Sequence, residues 1–105
     1  MGSPMAKAQT AAQARRLTDI PNIGVSIAQD LQSLGVHSPD DVRRMDPLAL
    51  YEALRTPLGR RHDPCLLDTF LAASAFMNGG PRQPWWDFTA QRKALLSQHD
   101  RSQHV

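Results

Sequence analysis

Three times in this chain a side chain able to cap a helix stands directly before a proline: Ser38-Pro39, Asp46-Pro47 and Asp63-Pro64. A hydroxyl or carboxylate at the cap accepts one of the orphan N–H groups of the first turn. Proline at the next position loses nothing, because its missing N–H would have no partner there. Each pair therefore predicts a helix start, and together they cut the middle of the chain into short helices. The helix opened by Asp46 carries Leu50, Tyr51 and Leu54. The one opened by Asp63 carries Leu66, Leu67, Phe70, Leu71 and Ser74 on one face, the longest apolar stripe in the sequence and the expected core helix. A sheet is disfavoured: aromatic residues make up 6% of the chain and there are eight prolines, against the alternating β-branched and aromatic runs that strands need.

Upstream, an Ala- and Gln-rich stretch from Ala8 to Leu17 has good helix composition and predicts a first helix. A tight break follows at Ile20-Pro21-Asn22-Ile23-Gly24. Ile27, Ala28, Leu31 and Leu34 then keep helical spacing until Gly35, which suits the left-handed position just past a helix end. The break resembles the helix-hairpin-helix consensus, hydrophobic-Pro-Gly-hydrophobic-Gly, with Asn22 in place of the first glycine. Asparagine is the non-glycine residue that best accepts φ > 0. Ile23 is expected to anchor the loop, while Gly24 lets the backbone turn and opens the next helix. The expected fold class is all-α, with five or six short helices around a helix-hairpin-helix of the SAM-like kind.

A helix start without a bulky side chain can hold a phosphate. Its first N–H groups lack intrahelical partners and lie at the positive end of the dipole. The candidate contacts are the backbone around Asn22, Ile23, Gly24 and Ser26, with charge from Arg15, Arg16 and Arg60. Contact of this kind reads the backbone and carries no sequence preference. Val25 and Ser26 stand where a strong DNA-binding hairpin would place Lys or Arg, so binding is expected to be weak. The formal charge of +2 permits a nucleic-acid partner without demanding one.

The second half makes the resemblance more specific. The order Asp30-Leu31, Leu34-Gly35, Asp46-Pro47 with Leu50-Tyr51, Arg61-His62-Asp63-Pro64-Cys65 and Trp85-Trp86 is similar to the bacterial helix-hairpin-helix family known as the pathogenicity locus, some of whose members are called mitomycin-resistance proteins. The resemblance runs from about Leu17 to Lys93. It implies a DNA-related role, and the expected function is a non-catalytic module, accessory to DNA repair or maintenance.

Two other function classes stay open. One is a protein–protein adaptor with a structural hairpin, docking a partner through the Trp85-Trp86 loop or the Arg15/Arg16 face. The other is a thiol enzyme using Cys65, which falls at the second position of a helix beside His62 and two arginines. A helix start and nearby cations lower a thiol pKa, whereas a small buried core residue is the simpler expectation. With one cysteine no internal disulfide forms, and a lone thiol suits the cytoplasm. His37, His62, His99 and His104 are scattered, so neither a metal nor any other cofactor is expected. No apolar run approaches a membrane span. One domain is expected over 9–97, with 1–8 a cloning remnant and disordered lead and 98–105 a disordered tail. The last helix is expected from Ala90 to Ser97.

Overall fold

A computed structural model describes residues 7–102. Among them five α-helices carry the fold: α1 (Val25–Ser33), α2 (Pro39–Arg44), α3 (Pro47–Ala53), α4 (Cys65–Met77) and α5 (Thr89–Ser102). Single 3-10 turns lie at Ala11–Gln13, Leu17–Asp19 and Trp85–Phe88. Extended pairing among the described residues amounts to one antiparallel bridge between Arg55 and Arg61. The fold class is all-α.

The cap-then-proline pairs behave as their chemistry predicts. Ser38 Oγ accepts the N–H of Asp41 at 3.2 Å, and Asp46 Oδ1 accepts that of Ala49 at 3.2 Å. The third pair differs by one residue. Asp63 Oδ1 accepts the N–H of Cys65 at 2.9 Å, so the cap closes two residues on and Cys65 becomes the first helical residue instead of the second. At the end of α1, Gly35 takes φ +88°. The N–H of Val36 there reaches Leu31 O at 2.9 Å and that of Gly35 reaches Gln32 O at 3.1 Å, the paired bonds of a Schellman stop.

The core is built around α4. Leu67, Phe70 and Leu71 are buried as expected, but so are Ala72, Ala73, Phe76 and Met77, and with them Asp68 and Thr69. A one-faced helix would leave half of these in water. α2, α3, α5 and the Trp85–Phe88 turn all pack against α4, so the helix is apolar nearly all round because it is surrounded. Tyr51 of α3 is fully buried, and its hydroxyl donates to His62 O at 2.6 Å, which satisfies the one polar atom the ring brings inside.

Three expectations are corrected. The helix over Ala8–Leu17 does not form; that arm is two 3-10 turns joined by extended residues. Asp19 Oδ2 accepts the N–H groups of both Arg15 and Arg16 at 3.0 Å, offering the backbone a local alternative to a helical ladder. So short a stretch, without a broad apolar face, has little to stabilise it as a helix. The turn at 20–24 thus has a regular helix on its downstream side alone, so the two flanking helices expected of a SAM-like helix-hairpin-helix are not both formed.

The second correction concerns the lead. Ala8 is buried and donates its N–H to Asp19 O at 2.8 Å, so residues 7 and 8 belong to the fold, while 1–6 lie outside the described residues. The third concerns the tail. α5 runs on past Ser97 to Ser102, where Arg61 holds Asp100 at 2.8 Å and Glu52 at 2.8 Å. Residues 103–105 lie outside the described residues.

Candidate nucleic-acid interface

The hairpin turn is built on two fully buried isoleucines, Ile20 and Ile23, with buried Pro21 between them. Proline at the second position, φ +74° at Asn22 and a 3.1 Å bond from the N–H of Ile23 to Ile20 O are the signature of a type II turn. Asn22 therefore fills the place of a glycine, as its chemistry allows. Gly24 plays another part than expected. Its φ of −91° and ψ of −177° are extended backbone that any residue adopts, so Gly24 does not make the turn.

What Gly24 does is leave the start of α1 uncovered. α2, α3 and α4 each begin under an acceptor side chain, whereas α1 has none at its cap. The first intrahelical bond runs from the N–H of Ala28 to Gly24 O at 2.9 Å. A Cβ placed on Gly24 would meet nothing within 4 Å. Gly24, Val25 and Ser26 are all exposed, Val25 to 67%. A helix end of this kind offers N–H groups and the positive end of a dipole to an anion.

The other expected contacts divide. Arg15 and Arg16 are exposed on the arm leading into the turn. Arg16 makes one loose ion pair with Asp19 at 3.8 Å, and at 71% side-chain exposure such a pair constrains it little. The Asp19 carboxyl is held below the usual carboxylate range, chiefly by the N–H of Arg15 and then that of Arg16. Ile23 is corrected as a ligand contact: its side chain is buried and its N–H is spent on Ile20. The side-chain amide of Asn22 is engaged too, donating to Gln83 O at 2.8 Å. Arg60 lies in the loop between α3 and α4, bonded through its N–H to Thr56 Oγ1. Among the described residues no hydrogen bond or ion pair joins that loop to the hairpin.

Two cations escaped the sequence reading. Lys7 sends its ammonium to Thr18 O and Ile23 O, at 2.5 and 2.6 Å, and so ties the arm to the turn. Burial lowers its pKa, against a smaller opposing pull from Asp19. Arg82 stands across a cleft of about 340 Å³ lined also by Lys7, Pro21, Asn22, Gln83 and Pro84. No local pattern marks either residue, because the cleft forms only when the segment at 82–84 folds back onto the hairpin.

Cys65 is half-buried. Its pKa is raised, first by the hydrogen bond its thiol makes to Asp63, then by desolvation, with the charges of Asp63 and Asp68 adding and Arg92 opposing. The direction is opposite to the lowering that the thiol-enzyme alternative requires, and Cys65, only half-buried, is not the fully buried core residue of the simpler expectation either. We expect thiol labelling in native buffer to titrate above the reference value of about 8.5. Asp63→Asn should bring the midpoint down, since a neutral amide neither repels the thiolate nor holds the thiol proton. A wild-type midpoint at or below that reference would contradict this account.

Among the described residues no three His, Cys, Asp or Glu side chains converge so as to hold a metal ion. No helix among them is long and apolar enough to cross a membrane.

Comparison with known proteins agrees with the order of motifs. The chain is 39% identical over 95 residues to the mitomycin resistance protein McrB of Streptomyces lavendulae, covering 89% of this chain and 90% of that one. No solved structure matches. Residues 10–94 match the family model described as pathogenicity locus, so the turn at 20–24, the capped helices and the Trp pair all fall inside it, and the chain belongs to the pathogenicity-locus family.

Proposed function

We propose that the chain is a non-catalytic module that binds DNA weakly and without sequence preference through the uncovered start of α1, as an accessory in DNA repair or maintenance. The observation that carries this reading is the contrast at helix starts: α1 alone among α1 to α4 lacks an acceptor side chain, and the space beside Gly24 is open. The N–H groups at the start of α1 take a phosphate oxygen, Ser26 adds a hydroxyl, and Arg15 and Arg16 supply charge from the arm. The likeness to a mitomycin resistance protein is in keeping with such a role. For about two neutralised phosphates the duplex slope of roughly −0.9 per contact gives a tenfold loss of affinity, roughly, between 50 and 200 mM salt.

Gly24→Val tests the reading cleanly. The backbone at Gly24 is extended and its surroundings are open, so valine folds there without strain while standing in the path of the phosphate. We expect helicity to be unchanged by circular dichroism and duplex binding, followed by fluorescence anisotropy at 50 mM salt, to be lost. Equal binding by the variant would reduce the hairpin to a structural joint.

One observation favours a second reading. Val25, exposed at the first position of α1, is apolar where charge would help a phosphate, and suits an adaptor surface for a protein partner. Val25→Lys separates the two. It strengthens DNA binding if α1 faces phosphates, and disrupts a protein contact if it does not.

A further inference from the structure

We infer that the cleft between the turn at 20–24 and residues 82–84, together with the exposed Trp86 that follows it in sequence, takes one unpaired nucleotide of a single DNA strand, with Arg82 on its phosphate and its base laid on Trp86. The inference rests on the reading that the hairpin contacts a DNA backbone, and it names the kind of DNA.

The two sides of the cleft are tied together. Its two walls lie 61 residues apart in sequence, and the 2.8 Å bond from the Asn22 side chain to Gln83 O joins them. Pro21 and Pro84 stiffen the two sides. A volume of about 340 Å³ stands at the small end of the range for ligand pockets, roughly 300–1,000 Å³, a size that suits one nucleotide. The charge is cationic. Arg82 is exposed and, among the described residues, makes no ion pair. Lys7 lines the same cleft, its ammonium donating to Thr18 O and Ile23 O, so it adds positive potential while Arg82 keeps its donors for a ligand.

Directly after Pro84 comes an aromatic platform. Trp86 is 61% exposed, and half-buried Trp85 meets it in a T-shaped contact with ring centroids 5.5 Å apart and planes at 85°. Trp85 and Trp86 belong to the turn that packs on α4. Thr89, which follows that turn, is fastened to Asp68 by a 2.6 Å bond. An exposed indole on a rigid support costs little ordering entropy when a base stacks on it. Base faces are available in an unpaired strand and already covered in a duplex, so a stacking platform beside a cationic cleft selects the single strand.

The test uses the full chain with a labelled oligothymidylate of 12 nucleotides and a duplex of equal length, both read by anisotropy at 50 mM salt. The expected result is at least fivefold tighter binding, roughly, to the single strand. Trp86→Ala should weaken that binding by at least about fivefold, from the loss of one stacked base, while duplex binding changes less than about twofold. Trp86→Phe should restore most of the loss, and Arg82→Ala should weaken the single strand more than the duplex. Trp86→Ala with unchanged circular dichroism and unchanged single-strand affinity would overturn the inference, as would a parent chain that binds both DNAs equally or neither. Gly24→Val keeps the two readings apart. If it abolishes duplex binding while Trp86→Ala does nothing, the cleft is refuted and the hairpin stands. If Trp86→Ala weakens the single strand while Gly24→Val does nothing, the cleft stands without the hairpin.

Discussion

Replacing Arg92 with alanine should lower the free energy of unfolding by about 3–5 kcal/mol, the usual loss when one partner of a buried ion pair is removed. Asp68 is fully buried in the middle of α4, and Arg92 Nε donates to its Oδ1 at 2.8 Å from a side chain only 14% exposed. The other oxygen accepts from Thr89 Oγ1 at 2.6 Å. Take the guanidinium away and a carboxylate stays inside with a single hydroxyl for company. The same pair holds α5 on α4, so the last helix should loosen first. Urea unfolding followed by circular dichroism gives the midpoint, and native-state hydrogen exchange shows whether α5 amides open before those of α4. The double variant Asp68→Leu, Arg92→Met should recover much of the loss, because it leaves neither a buried charge nor a void. A fall of less than about 1 kcal/mol for Arg92→Ala would mean that water reaches Asp68 once the guanidinium is gone.

That ion pair also marks where sequence reasoning stops. Asp68 sits inside an apolar helical run and reads there as a solvent-facing residue. Its partner is 24 positions away on a helix with no apolar stripe of its own. Local chemistry was legible. Ser38 and Asp46 capped the helices that follow them, Gly35 ended α1 in the left-handed region, and Asn22 took the positive φ that the turn requires. These outcomes depend on a few neighbouring residues. The Ala8–Leu17 arm failed as a helix because a single carboxylate, Asp19, captured two of its N–H groups, and propensity carries no record of that competition. The site divides along the same line. The open start of α1 could be read from Gly24 and its neighbours. The cleft at Arg82 depends on a contact between Asn22 and Gln83 that no local pattern announces.

Ile23→Ala should cost about 2–5 kcal/mol, the range for emptying a fully buried aliphatic position, and Ile23→Val about 0.5–1.5 kcal/mol. The isoleucine is completely enclosed and belongs to one continuous core with Ile20, Leu31 and Phe70. Its backbone is equally committed, with the N–H on Ile20 O and the carbonyl taking the Lys7 ammonium. Because the backbone is pinned on both sides, the turn cannot sink into the space a smaller side chain leaves, which places the alanine variant toward the upper end of that range. The graded pair matters more than either value. If stability falls in proportion to the methyl groups removed while DNA affinity per folded molecule stays constant through valine, Ile23 acts on the fold and the ligand never touches it. Gly24, one residue on, should show the opposite pattern: full stability with valine and no binding. A hairpin in which both positions moved stability and affinity together would be a packing joint, and the binding surface would have to lie elsewhere on the molecule.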